Sequence, residues 1–112
     1  MTEAGANRRR SQRVYIHIPV QVRGASTNGN FQEDTHTLVV NAHGGLLVLA
    51  AKVEFDQKLV LRTQDEEAEC RVVFVGSHED DGGVRIGVEF AQAAPHFWRI
   101  EFPPSDWEAS PN

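Results

Sequence analysis

From Val14 onward, apolar and polar residues alternate. Ile16, Ile18, Val20 and Val22 fall on one face, and Tyr15, His17, Gln21 and Arg23 on the other. A period of two predicts a strand with one covered face. Pro19 lies inside the pattern, which predicts an edge position or a bulge there. Gly24 to Asn30 predicts a loop with an Asn-Gly turn. Phe31 to Val40 predicts a second strand, with Thr35, Thr37 and Val39 opposed to His36, Leu38 and Val40. Asn41-Ala42-His43-Gly44-Gly45 breaks it, in residues that tolerate positive φ. Leu46 to Ala50 is apolar on both faces, as in a strand covered on both sides.

Lys58 to Thr63 alternates again, and Gln64-Asp65-Glu66-Glu67 predicts a charged turn. Ala68 to Val75 predicts a longer strand carrying Cys70, Val72 and Phe74 on one face. Gly76 to Gly83 ends in Asp80-Asp81-Gly82-Gly83, a strong hairpin signal. Val84, Ile86, Val88 and Phe90 then alternate with Arg85, Gly87 and Glu89. Pro95 suits the first position of a short helix, Phe97 and Ile100 have helical spacing, and Pro103-Pro104 ends it. Phe97, Trp98, Phe102 and Trp107 gather beyond the last strand, where such rings serve as a plug. Six strands at hairpin spacing predict an all-β fold, a small six-stranded antiparallel barrel closed by a short C-terminal helix.

Composition narrows this further. One hundred and twelve residues suit one domain with a real core. Residues 1–13 lack periodicity and predict a flexible basic tail, leaving 14–112 as a single barrel domain. Cys70 is the only cysteine, which excludes an internal disulfide and suits a reducing compartment. The start of the chain has no apolar signal, and the longest apolar run, Leu46 to Ala51, is too short to span a membrane. The reading is a soluble cytoplasmic protein.

Charge is distributed unevenly. Residues 1–23 hold five Arg and one acid, whereas the remainder holds six Lys or Arg and fifteen Asp or Glu. A net charge of -5 argues against a binder of nucleic-acid polymers. A single-strand binder would place aromatics on a basic strand face, whereas here they cluster near the acidic C-terminus. The basic lead-in, Arg8-Arg9-Arg10-Ser11-Gln12-Arg13-Val14, points to a smaller anionic partner. Arginine supplies a planar fork for phosphate or the O6/N7 edge of guanine, and its plane stacks on purines.

In this stretch the chain resembles the PilZ domains, bacterial receptors for cyclic di-GMP. Arg9-Arg10-Ser11-Gln12-Arg13 matches their Arg-x-x-x-Arg lead-in, and Val84-Arg85-Ile86-Gly87-Val88-Glu89-Phe90 resembles their closing strand. The ordered likeness runs from about Arg8 to Phe90. The family's second motif is Asp or Asn, any residue, Ser, two residues, Gly. This chain keeps Asn41, has His43 for the serine, and reaches Gly45 one residue early. The resemblance implies a non-enzymatic signalling domain that binds cyclic di-GMP through Arg9, Arg10, Arg13, Asn41, His43 and Gly45. The eroded second motif supports an alternative, a degenerate PilZ-like module that meets a protein effector without the nucleotide.

Other chemistry finds little support. His17, His36, His43, His78 and His96 lack the short spacings of a zinc site, although His36 and His43 would meet across the predicted hairpin. No metal and no cofactor is expected. Cys70 sits among core-type residues, and no nucleophile or phosphate-loop motif occurs, so no catalytic residue is assigned.

Overall fold

The computed structural model describes residues 13–26, 29–64, 66–78, 83–92, 94 and 96–100. Six strands follow in chain order: β1 (Pro19–Ser26), β2 (Gly29–Asn41), β3 (Gly44–Leu49), β4 (Lys58–Thr63), β5 (Glu66–His78) and β6 (Val84–Phe90). All pairings are antiparallel, in the order β1-β2-β3-β6-β5-β4, and β4 pairs back onto β1. The sheet thus closes into a barrel with no edge strand.

Closure settles the position of Pro19. It is the first residue of β1, where a missing N–H costs no ladder bond. Upstream, residues 14–18 continue along β2 as a lead-in. Pro19 pairs with His36 but Val14 bridges Val40, so five steps of lead-in match four of β2. This is the bulge option that the proline left open. The extra residue turns Ile16 out of the inward row, and it is 39% exposed, whereas Val14 and Ile18 pack on the core.

Three further register shifts interrupt the ladders, the last between Val75 and His78, and the other two overturn simple alternation. The β2–β3 register shifts between Thr37 and Val39, so the buried residues of β2 are Thr37 and then Val40, not Thr37 and Val39. The β5–β6 register shifts between Val72 and Phe74. Cys70 and Val72 stay inside as expected, but Phe74 swings out and is 50% exposed. A one-residue slip moves a side chain to the opposite face, which is the cause in both strands.

The turns are tighter than the sequence suggested. Gly24, Ala25, Ser26 and Asn30 belong to the strands, and Ser26 pairs with Gly29. A Cβ at position 24 would lie 2.4 Å from the Leu59 side-chain Cδ2, so a larger residue there would have to push that leucine aside. Gly44 and Gly45 open β3 rather than precede it.

The core gathers Val20, Val22, Val40, Leu47, Leu49, Leu59, Leu61, Cys70, Val72, Ile86, Val88 and Phe90. Phe97 and Trp98 close one end of it. Their rings lie 4.9 Å apart at a steep angle and meet the Phe90 ring at 5.2 and 5.8 Å. The backbone beneath them is two turns, Phe97 N–H to Ala94 O and Arg99 N–H to His96 O, in place of the expected helix among the described residues. Phe102 and Trp107 lie outside the described residues, as does most of the predicted basic tail.

Candidate functional site

The plugged end of the barrel is also where the lead-in enters and where β2 turns into β3. The bridge there is two-sided: Val14 N–H donates to Val40 O and Val40 N–H to Val14 O, both at 2.9 Å. Arg13 precedes Val14 and Asn41 follows Val40, so antiparallel pairing sets them side by side on the backbone. Arg13 is exposed. The other sequence-predicted arginines, Arg9 and Arg10, lie outside the described residues.

The turn is held from several sides. Asn41 pairs with Gly44, leaving Ala42 and His43 as a two-residue connection. Asn41 Oδ1 accepts the His43 N–H at 2.7 Å, the local bond that suits asparagine to turns. Since the partner is a donor, the side-chain oxygen must face it, which leaves the Asn41 NH2 group as the available donor. His43 O accepts from Phe90 N–H at 2.7 Å, and Gly44 O accepts from the Trp98 indole N–H at 3.0 Å. Gly44 has φ of 157°, and a Cβ there would stand 1.9 Å from Val88 O. His43 is half-buried and Gly45 pairs with both Val40 and Val88. The structure thus brings Arg13, Asn41, His43 and Gly45 to one rim.

Beside this rim runs a shallow groove of about 600 Å³. Tyr15, Ile16 and His17 of the lead-in form one wall, Leu38, Val39 and Leu46 form the floor, and Arg85 of β6 stands opposite. Tyr15 is 79% exposed. An apolar floor edged by Arg85 on one side and the Tyr15 and His17 rings on the other suits a flat, anionic, partly aromatic molecule. Sequence periodicity had placed Tyr15 and Arg85 only on outward faces. Their shared groove follows from the bulged lead-in, which the sequence signalled through Pro19 alone.

A second groove, of about 720 Å³, lies between β1, β2, β4 and β5 and includes Gly24, Phe31, Leu59 and Cys70. The two arginines on its rim are paired, Arg23 with Glu67 at 3.2 Å and Arg71 with Asp56 at 2.7 Å and Glu89 at 3.2 Å. None of the sequence-predicted site residues lines it. Burial pushes the Cys70 thiol up to about 12, which keeps it protonated and poorly nucleophilic.

His43 does not approach His36 as a ring pair. His36 instead meets His17 of the lead-in, with ring centroids 4.8 Å apart. Among the described residues no group of three or more His, Cys, Asp or Glu is arranged to hold a metal. Among the same residues no helix is long and apolar enough to cross a membrane.

No protein-family model matches this chain, and no curated protein matches it. Among solved structures it is similar to the Bacillus subtilis inhibitor of motility MotI/DgrA, with a TM-score of 0.57 at 21% identity. The likeness covers 78% of this chain and 44% of that one, so the chain spans under half the length of that protein. It supports a PilZ-like barrel, and at this identity it speaks for the fold alone.

Proposed function

We propose that this chain is a non-enzymatic bacterial signalling domain that binds cyclic di-GMP on the rim formed by the lead-in and the β2–β3 turn. The observation that carries the reading is the Val14–Val40 bridge, which sets Arg13, the last arginine of the Arg-x-x-x-Arg stretch, beside Asn41, where the second motif begins. In this reading Arg13 and Arg9 clamp phosphates and guanine edges, with Arg10 beside them. Asn41 donates its NH2 to guanine O6 or N7, and His43 adds one bond in place of the missing serine hydroxyl. Gly45 keeps the rim low, since a Cβ there would crowd Val39 O at 2.8 Å.

Titration calorimetry with cyclic di-GMP tests the reading. The expected result is saturable heat that falls at least about tenfold in affinity in Arg9→Ala plus Arg13→Ala, one lost bidentate guanine contact being worth roughly 1–3 kcal/mol. No heat at high ligand concentration, or an unchanged affinity in the double variant, refutes it.

One observation favours a second reading, a protein-interaction module indifferent to the nucleotide. Val73, Phe74 and Val75 are all exposed on β5, an apolar run that a monomer gains nothing from showing. A protein effector retained by the double arginine variant and lost in Phe74→Asp distinguishes it.

A further inference from the structure

The lead-in that carries Arg13 is attached to β2 by an irregular joint, and one side chain makes that joint. At the bulge the regular ladder fails, which leaves the Ile18 N–H and the Ile16 C=O in need of partners. Thr37 supplies both. Its Oγ1 accepts from Ile18 N–H at 2.8 Å and donates to Ile16 O at 2.6 Å, while its own N–H donates to Ile18 O at 3.0 Å. Thr37 is fully buried among aliphatic residues, where a hydroxyl with one bond missing is costly. The β2–β3 register also slips just beyond it, between Thr37 and Val39. Two departures from regular pairing therefore converge on one residue. From this joint the lead-in runs on through the bond from Ile16 N–H to Leu38 O at 3.2 Å to the Val14–Val40 bridge, so the hydroxyl fixes the start of the path that ends with Arg13 beside Asn41.

We infer that Thr37 is a positioning residue for the arginine clamp, fixing the lead-in from beneath without touching the ligand. The inference rests on the nucleotide reading above, and its two halves separate by experiment. The first measurement needs neither a variant nor a ligand. In the wild-type chain the Ile18 amide should exchange with solvent as slowly as the neighbouring β1 amides, and exchange at the free-peptide rate overturns the joint. Thr37→Val keeps the shape and removes both side-chain bonds. It should speed exchange at Ile18 and Ile16 by roughly tenfold or more while the β4 and β5 amides hold their rates. Thr37→Ser keeps the hydroxyl and should restore the wild-type rates.

Calorimetry with cyclic di-GMP on the same proteins tests the second half. Affinity should fall about tenfold in Thr37→Val and return in Thr37→Ser, since an unfixed lead-in must be ordered at the moment of binding. Faster exchange in Thr37→Val with undiminished affinity overturns the positioning role and leaves the nucleotide reading standing. Absence of binding by the wild type, with the exchange pattern as expected, overturns the nucleotide reading and the clamp role with it.

Discussion

Trp98 tests most directly whether the cap and the candidate rim are one structure. The indole is 2% exposed, contacts the Phe90 and Phe97 rings, and donates its N–H to Gly44 O at 3.0 Å. Trp98→Phe leaves an aromatic plug but removes the donor and part of the ring. The stranded Gly44 carbonyl costs about 1–3 kcal/mol. The lost ring volume, on the order of 40 Å³ at ~24 cal/mol per Å³, adds about 1 kcal/mol. The expected total is about 2–4 kcal/mol, a large share of the ~5–15 kcal/mol that a domain possesses. At this chain length that lowers the melting temperature by roughly 8–16 °C. Urea unfolding followed by circular dichroism measures it without relying on tryptophan emission. Exchange at the His43 amide should quicken in the same variant, because the turn it closes is pinned by the indole. A loss below about 0.5 kcal/mol, the range of neutral surface changes, refutes the claim that Trp98 holds Gly44.

Two other substitutions carry defined expectations. Gly44→Ala must move β3 away from β6, because its Cβ would meet Val88 O at 1.9 Å, and it should destabilise by roughly 2 kcal/mol or more in the same urea assay. Cys70 should resist alkylation at pH 8 in the folded protein and react readily in denaturant. Its folded pKa of about 12 exceeds the ordinary 9.0, so the unfolded chain releases the proton first. Stability owed to the neutral thiol is therefore complete below pH 9 and is lost as pH rises from about 9 through about 12. Cys70→Ala should flatten that alkaline decline, and an identical slope in both proteins counts against the burial argument.

Periodicity exposed the barrel wherever strands pair regularly. Val84 to Phe90 alternates and pairs without interruption with β3, and its inward residues Ile86, Val88 and Phe90 are buried as the pattern requires. The pattern misplaced Ile16, Val39 and Phe74 for a shared reason. Each lies at or beside a register slip, and a slip depends on the partner strand, which local alternation does not encode. Pro19 was the one local sign of such a slip. The Thr37 hydroxyl gave no local signal, following Thr35 and His36 in a mixed strand, and its partners lie 19 and 21 residues away. Among the described residues the turns that stand in place of helical spacing have a similar cause: the Phe97 and Trp98 rings reach the barrel end from two tight turns, so their burial does not require a helix there.

The candidate rim was legible as residue types and illegible as an assembly. Arg13 and Asn41 belong to separate motifs, and only the Val14–Val40 bridge makes them neighbours. The second motif also changes meaning once its turn is visible. With Gly44 paired to Asn41, the connection needs only Ala42 and His43, and the early glycine follows from the shorter turn. Asn41 commits one lone pair of its oxygen to closing that turn, which leaves its NH2 group and the second lone pair for a ligand. A guanine edge presenting O6 and N7 would suit the NH2 group, and a contact to the guanine N1–H or N2 amine would fall to the remaining lone pair. The nucleotide reading thus sets a turn-closing asparagine at the guanine, so Asn41→Ala should weaken cyclic di-GMP binding in calorimetry, and undiminished affinity argues against that role.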